Sequence, residues 1–233
     1  ERNDINEILI HDADAPLLGW GFDPILFGTQ RLSVKELDTV SASRAIVIMH
    51  ASVHLTNVNS VMLAQAGIDE DTDIDGVHKD ADGQPTGELQ EFAAMFPVQK
   101  LLGKSMTLAA AEQAEAVWKF GRVAQLAGVT TATDLVSDLT QAGLETLHQV
   151  TADPHYPMRV VPAFAPQRNP DGGAARVLQA IGDQTDKLRF GPVKFIVDGS
   201  IQGFTARLRE PGYFGGQPNG LWLIPPSQLQ ELF

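Results

Sequence analysis

Val193-Lys194-Phe195-Ile196-Val197-Asp198-Gly199-Ser200 is the stretch on which the fold turns. Its apolar and β-branched residues predict a strand over residues 192–198. Side chains alternate along a strand, so Lys194, Ile196 and Asp198 share one face. Strands of a parallel sheet are buried on both faces. An ammonium in such a strand is costly unless it is paired or neutralised. Two readings stay open at this level. One is a Lys194–Asp198 ion pair, or an edge lysine reaching water. The other is a neutral amine recruited as a metal ligand or a nucleophile.

Upstream, the same unit repeats. Residues 108–126 predict a helix closed by Gly128, and residues 129–134 a short strand ending in Asp134. Residues 138–150 predict the next helix, 159–164 the next strand and 174–181 a further helix. Strands alternating with helices in this way imply βαβ units and a parallel sheet. In such folds the C-terminal strand ends carry the chemistry. Asp134 and Asp198 stand at those ends, although an Asx turn or a helix cap explains either one alone.

The first half lacks this periodicity. Residues 5–10 look like the tail of a helix, 16–23 a strand or turn, and 44–49 an apolar strand. Residues 59–65 predict a short helix closed by Gly67. Residues 76–89 predict a hairpin with Asp82-Gly83 at its turn. This organisation divides the chain into a barrel-associated helix and loop over 1–34, an inserted α+β lobe over 35–105 and a βα segment over 106–233. Beyond it, residues 211–226 are a Gly/Pro-rich loop, and residues 227–233 begin a helix.

Composition narrows the chemistry. The chain of 233 residues carries a formal charge of −12 and no cysteine. That excludes disulfides, thiolate metal sites and a cysteine nucleophile. The acidic balance opposes nucleic acid and anionic membranes as partners and suits a small-molecule substrate. No apolar run approaches a membrane span. The chain starts at Glu1, inside what reads as a helix, so a preceding native segment is expected; a cytoplasmic protein, with a homo-oligomer allowed, is the resulting expectation. His50 and His54 have the spacing of a zinc-protease pair, but Ala51 stands where its glutamate belongs. Asp71-Thr-Asp73-Ile-Asp75-Gly76 imitates a calcium loop yet has Asp82 at its twelfth position and a hairpin after it. There is no P-loop, GxGxxG or GxSxG. His54 and Asn59 cluster polar groups at a strand-to-helix junction, with Asn59 equally able to cap the helix.

Five motifs occur in order: Gly19-Trp-Gly-Phe-Asp23; His54-x4-Asn59-Ser60; Asp82-Gly-Gln-Pro-Thr-Gly87-x3-Glu91; Gly128-Val-Thr-Thr-x2-Asp134; and Val193-Lys-Phe-x2-Asp-Gly-Ser200-x4-Thr205-Ala206. Each is weak alone. As an ordered set the sequence resembles the YtcJ-like branch of the amidohydrolase superfamily, amidohydrolase family 3, over nearly the whole chain. The resemblance implies an α/β fold, part of a (β/α)8 TIM barrel from about the second to the fourth strand, with an inserted α+β lobe. It implies a hydrolase of amide or other non-peptide C–N bonds that uses one or two divalent metals, zinc first, to activate water. It makes Lys194, carboxylated, the metal ligand, and His54, Asn59, Glu91 and Asp198 substrate-binding residues. The departures are plain: no His-x-His occurs in the sequence, and Ser52 stands where relatives often have an acidic residue. Two rivals follow: a non-catalytic fragment or binding module that keeps the fold without a complete metal site, and an unrelated enzyme with a Schiff-base lysine at Lys194.

Overall fold

A computed structural model describes residues 15–28, 30–103, 110–166 and 173–229. The helix expected over residues 5–10 lies outside them. The chain divides into two compact units, Glu1–Gly103 with Val197–Phe233, and Lys104–Ile196.

The first unit is built on a five-stranded mixed sheet. Its strands are β1 (Leu17–Phe22), β2 (Ile46–His50), β3 (Leu55–Val58), β4 (Val77–Lys79) and β5 (Pro85–Gln90), in the order β1-β2-β3-β5-β4. β1 runs parallel to β2, and the other neighbours are antiparallel. Helix α1 (Val34–Val40) starts at a capping box, in which Ser33 and Glu36 satisfy each other's end groups. Helix α2 (Ser60–Ala66) is capped by Asn59 and stopped by Gly67 in the left-handed region. The expected hairpin is β4–β5. The Asp80 carboxylate accepts from the amides of Asp82 and Gln84, and Gly83 supplies the positive φ of 81° that the turn needs. Helix α3 (Glu91–Leu102) follows β5 without a loop. Its buried Ala94, Met95, Val98 and Leu102 pack on Val47, Val58, Met62 and Leu89 to form this unit's core.

The expected division at residue 34 separates strands that are neighbours in one sheet: Leu17 to Trp20 of β1 pair with Ile46 to Met49 of β2. Residues 197–233, expected with the βα segment, group instead with the first unit. The Arg31 guanidinium ties this segment to the first unit, donating to the Gly203 carbonyl at 3.3 Å and lying over the Phe204 ring, and the segment is also paired on itself. The amides of Leu223 and Ile224 donate to the Val197 carbonyl, and Asp198 bridges to Trp222.

The second unit holds α4 (Ala110–Leu126), β6 (Thr131–Ser137), α5 (Gln141–Thr151), β7 (Arg159–Phe164) and α6 (Gly173–Gly182). β6 and β7 pair in parallel, as the repeat predicts. Tyr156, Met158, Phe164, Val177 and Leu188 form the core, with Trp118 set edge-on to Tyr156. The strand expected over residues 192–198 is not a regular strand. Its approach to β7 is two isolated parallel bridges, Val160 with Leu188 and Phe164 with Val193. Between them stand Gly191, at φ 140°, and Pro192, which has no amide to donate, so a continuous ladder cannot form there. The spatial sequence β6, β7, then the Lys194 segment is still the expected one. In the first unit, a short helix α7 (Pro226–Leu229) closes the described chain.

Candidate functional site

Lys194 lies just past the second bridge, and its amide donates to the Phe164 carbonyl at 2.8 Å. The side chain is half-buried, and among the described residues its ammonium has no hydrogen-bond or ion-pair partner. Lys194 does not make a site alone, since no group of three or more His, Asp or Glu able to hold a metal occurs among the described residues. Asp134 is exposed and accepts from the amide of Val136 at 3.1 Å, which makes it a turn residue.

In the first unit, the polar chemistry gathers where β5 becomes α3. Glu91 follows the last residue of β5, and its amide donates to the His54 carbonyl at 2.7 Å, extending the β3–β5 pairing by one bond. Turning directly into the helix forces Glu91 to φ 64°, which costs a non-glycine residue about 1–2 kcal/mol. Its carboxylate is buried and accepts from His54 Nδ1 at 2.7 Å. The second oxygen, Oε1, is buried with no partner. A Cβ placed on Gly199 would stand 2.3 Å from that oxygen and 2.2 Å from Thr205 Oγ1, so only glycine fits there. The loop after Gly199 is clamped on itself: the Ser200 amide donates to Thr205 Oγ1, and the Gly203 amide donates to Ser200 Oγ. The structure thus joins three pieces of the sequence motifs, His54, Glu91 and Gly199-Ser200-x4-Thr205.

Two other expected residues serve the fold. Asn59, expected either to bind substrate or to cap the helix, is seen as the cap. It is fully buried, its Oδ1 accepts from the amides of Ile46 and Met62, and its Nδ2 donates to the carbonyls of Ser41 and Arg44. No donor or acceptor position is left for a ligand. Asp198 uses Oδ2 to accept from the Arg207 amide at 2.8 Å, at the foot of the 198–222 pairing.

Sequence reasoning missed Arg31 and Glu88. Arg31 donates through Nε and Nη2 to the buried Glu88 carboxylate, whose Oε1 also accepts from Gln90 Nε2, and the guanidinium lies over Phe204. These residues line a cavity of about 340 Å³ with His78, Gln217 and Asn219. Glu88 had a detectable signal, because in Gly87-Glu88-Leu89-Gln90 it interrupts a strand otherwise able to be buried. Arg31 had none. His50 was set aside with the failed protease motif. It is buried against Asn57, whose Nδ2 donates to the Leu32 carbonyl, so Asn57 Oδ1 accepts from His50 Nε2. Burial pushes the His50 pKa below the usual histidine value, against the opposing effect of the Asn57 bond.

A parallel βα pair in one unit, and in the other a mixed sheet that carries the His54–Glu91 pair, make this an α/β protein. The family model described as "Amidohydrolase family" matches residues 4–232, and the chain belongs to that family. It is 28% identical over 235 residues to the protein named as amidohydrolase YtcJ of Bacillus subtilis (strain 168), covering 93% of this chain and 40% of that one. The chain therefore spans about 40% of the length of this curated relative. Among solved structures, an uncharacterized metal-dependent hydrolase from Pyrococcus horikoshii OT3 overlaps with a TM-score of 0.51 at 18% identity, over 92% of this chain and 41% of that one. A second, an uncharacterized metal-dependent hydrolase from Pyrococcus furiosus, overlaps at 0.49 and 18% identity, over 99% of this chain and 45% of that one.

Proposed function

We propose that the protein is a metal-dependent hydrolase of amides or other non-peptide C–N bonds, built on a (β/α)8 barrel whose second to fourth strands lie in this chain. One observation carries the reading: in a chain matched to the amidohydrolase family over residues 4–232, the lysine beside the end of β7 is half-buried and unpaired among the described residues. A lysine amine that takes up carbon dioxide becomes a carbamate, which is an anionic oxygen ligand. Lys194 is thus the ligand this chain contributes to one or two divalent ions, zinc first for a histidine-and-carboxylate donor set. When bound, the metal would lower the pKa of a water and polarise the scissile carbonyl. His54, held by Glu91, is the substrate-facing group of the first unit, and Asp198 supports the loop beside it. A small-molecule substrate, a cytoplasmic location and a homo-oligomer belong to the same reading. No described helix is long and apolar enough to cross a membrane.

The test is metal analysis and amide hydrolysis by the longest native form of the protein. Lys194→Ala should lose bound metal and activity together, with partial recovery on adding short carboxylic acids. Full metal content and full activity in that variant would overturn the proposal. The 233-residue chain alone should not turn over amides with added zinc, because a hydrolytic site needs about three protein ligands.

A further inference from the structure

We infer that the cavity of about 340 Å³ between the β4–β5 hairpin, Arg31 and the 203–221 loop binds a small uncharged polyol. Every residue of its wall belongs to the first unit. Binding alone is required, so nothing here depends on the hydrolase reading above. The volume is at the small end of ligand pockets.

The wall is bonded in place without a ligand. Asn219 fastens the loop, accepting from the Leu208 amide and donating to the Leu208 carbonyl, both at 2.8 Å. Arg207 Nη1 donates to the Gly220 carbonyl, and the Leu221 amide donates to the Thr205 carbonyl. A Cβ on Gly220 would overlap the Thr205 carbonyl, so the loop closes this tightly only with glycine there. On the hairpin, Glu88 is buried and held by Arg31 and Gln90. Among these supports, Gln217 Oε1 is buried with no hydrogen-bond partner among the described residues. An unmatched buried acceptor in an otherwise bonded loop calls for a donor from outside the chain.

The groups left over define the ligand. Besides His78, the titratable residues of the wall are Arg31 and Glu88, and they are bonded to each other. A charged ligand of either sign would meet a like charge in that pair. A zwitterion would have to bury two full charges against a pair already satisfied. A carboxylate has about four lone-pair sites, and Glu88 accepts from Arg31 Nε, Arg31 Nη2 and Gln90 Nε2. A guanidinium has about five N–H groups, and Arg31 spends them on Glu88 through Nε and Nη2 and on the Gly203 carbonyl through Nη1 and Nη2. What remains among the described residues is an acceptor site on Glu88, an N–H on Arg31 Nη1 and Gln217 Oε1. A hydroxyl both donates and accepts, so adjacent hydroxyls answer such a mixture without bringing charge. Phe204 and Leu221 supply an apolar wall for the C–H face of a ring polyol.

The test is an NMR titration of the 233-residue chain, following the backbone amides of residues 215–221 and the Gln217 side chain. D-glucose and myo-inositol are the polyol probes; urea, glycine and acetate are the comparison set. At least one polyol should shift these signals saturably in the millimolar range, ahead of all three comparison compounds. Gln217→Met keeps the side-chain length and removes the amide. It should melt with the unsubstituted chain, because Oε1 has no partner to lose, and bind the polyol about fivefold more weakly. No saturable shift with either polyol overturns the inference, as does tighter binding of urea, glycine or acetate. Unchanged affinity in a folded Gln217→Met overturns it too. The ranking of probes on the unsubstituted chain is decisive without any variant having to fold, and it leaves the hydrolase reading untouched.

Discussion

β3 and β6 are both short strands rich in threonine and apolar residues, and they end up in opposite circumstances. Every residue of β3 is buried, whereas most of β6 is exposed. β3 lies between β2 and β5 and is bonded on both edges, with helices over its core residues. Even its polar side chains are accommodated: Thr56 donates to the sulfurs of Met49 and Met95, and Asn57 donates to the Leu32 carbonyl. β6 has β7 on one edge alone among the described residues, and Leu135 and Val136 on it are 51% and 37% exposed. A strand of a parallel sheet is ordinarily covered on both faces. The contrast teaches that similar strand compositions carry very different energetic weight, depending on what pairs with and covers them.

The largest effect should come from making one chemical change in both sheets. Leu89, fully buried in β5 beside β3, should cost about 2–5 kcal/mol when changed to alanine, through lost transfer energy and the cavity left behind. Leu135→Ala on β6 should stay within about 0.5 kcal/mol, as surface changes do. Urea denaturation of the two variants measures both, and equal losses would erase the contrast.

A smaller effect is expected at Asn59, which ties α2, β2 and the 41–44 turn together. Asn59→Ala removes a helix cap and leaves the Ile46 amide buried without its acceptor, for a loss of about 1–2 kcal/mol. In the second unit, Thr140 caps α5 at an exposed site through one bond of 3.3 Å to the Gly143 amide. Thr140→Ala should lose about 0.5 kcal/mol, the low end for caps. Thermal melts of both variants sharpen the comparison, and a larger loss at Thr140 would reverse it.

The smallest effect is pH-dependent and belongs to the first unit. Burial lowers the folded-state pKa of His50, so the folded chain binds its proton less readily than the unfolded chain does. Stability from this group is therefore present above the ordinary histidine value of 6.5 and is lost as pH falls below it toward the folded-state pKa. The slope is at most about 1.4 kcal/mol per pH unit. His50→Gln should flatten that dependence in urea titrations between roughly neutral and mildly acidic pH, set against the same histidine reference. An unchanged slope would show that His50 is not buried as a neutral ring.

Much of the second unit was legible in advance. β7 falls on the residues its composition predicts, and α4, α5 and α6 begin and end within a few residues of their expected limits, because caps and periodicity are local. The Asp82-Gly83 turn and the Asn59 and Gly67 ends of α2 were legible for the same reason. Lys194 was legible through cost, since an ammonium among apolar strand residues demands a special explanation. The ladder expected for its strand failed at Gly191-Pro192, a local signal that the apolar run outweighed in the reading. His54 and Glu91 stood in the sequence motifs, but their pairing did not, and Arg31 carried no signal. Nothing local in Glu91 announces that it turns to His54 across 37 positions, or in Arg31 that it meets Glu88 across 57.

The sequence by itself determined the family, the βα rhythm of residues 110–182, the hairpin and helix caps of the lobe, and the singular position of Lys194. Each of these rests on interactions between residues near one another in the chain, or on motifs that survive as written order. Only the tertiary structure decided that β1 joins the lobe's sheet and that the segment after Val197 groups with the first unit, where Arg31 meets Gly203 and Phe204. It also decided that Asn59 is consumed as a cap and that His54 is oriented by a strained, buried Glu91 beneath Gly199. Those outcomes depend on which distant backbone amide and which buried oxygen find each other. That choice is made by the packing of the whole unit, because a buried polar group must take whatever partner the fold brings within bonding distance.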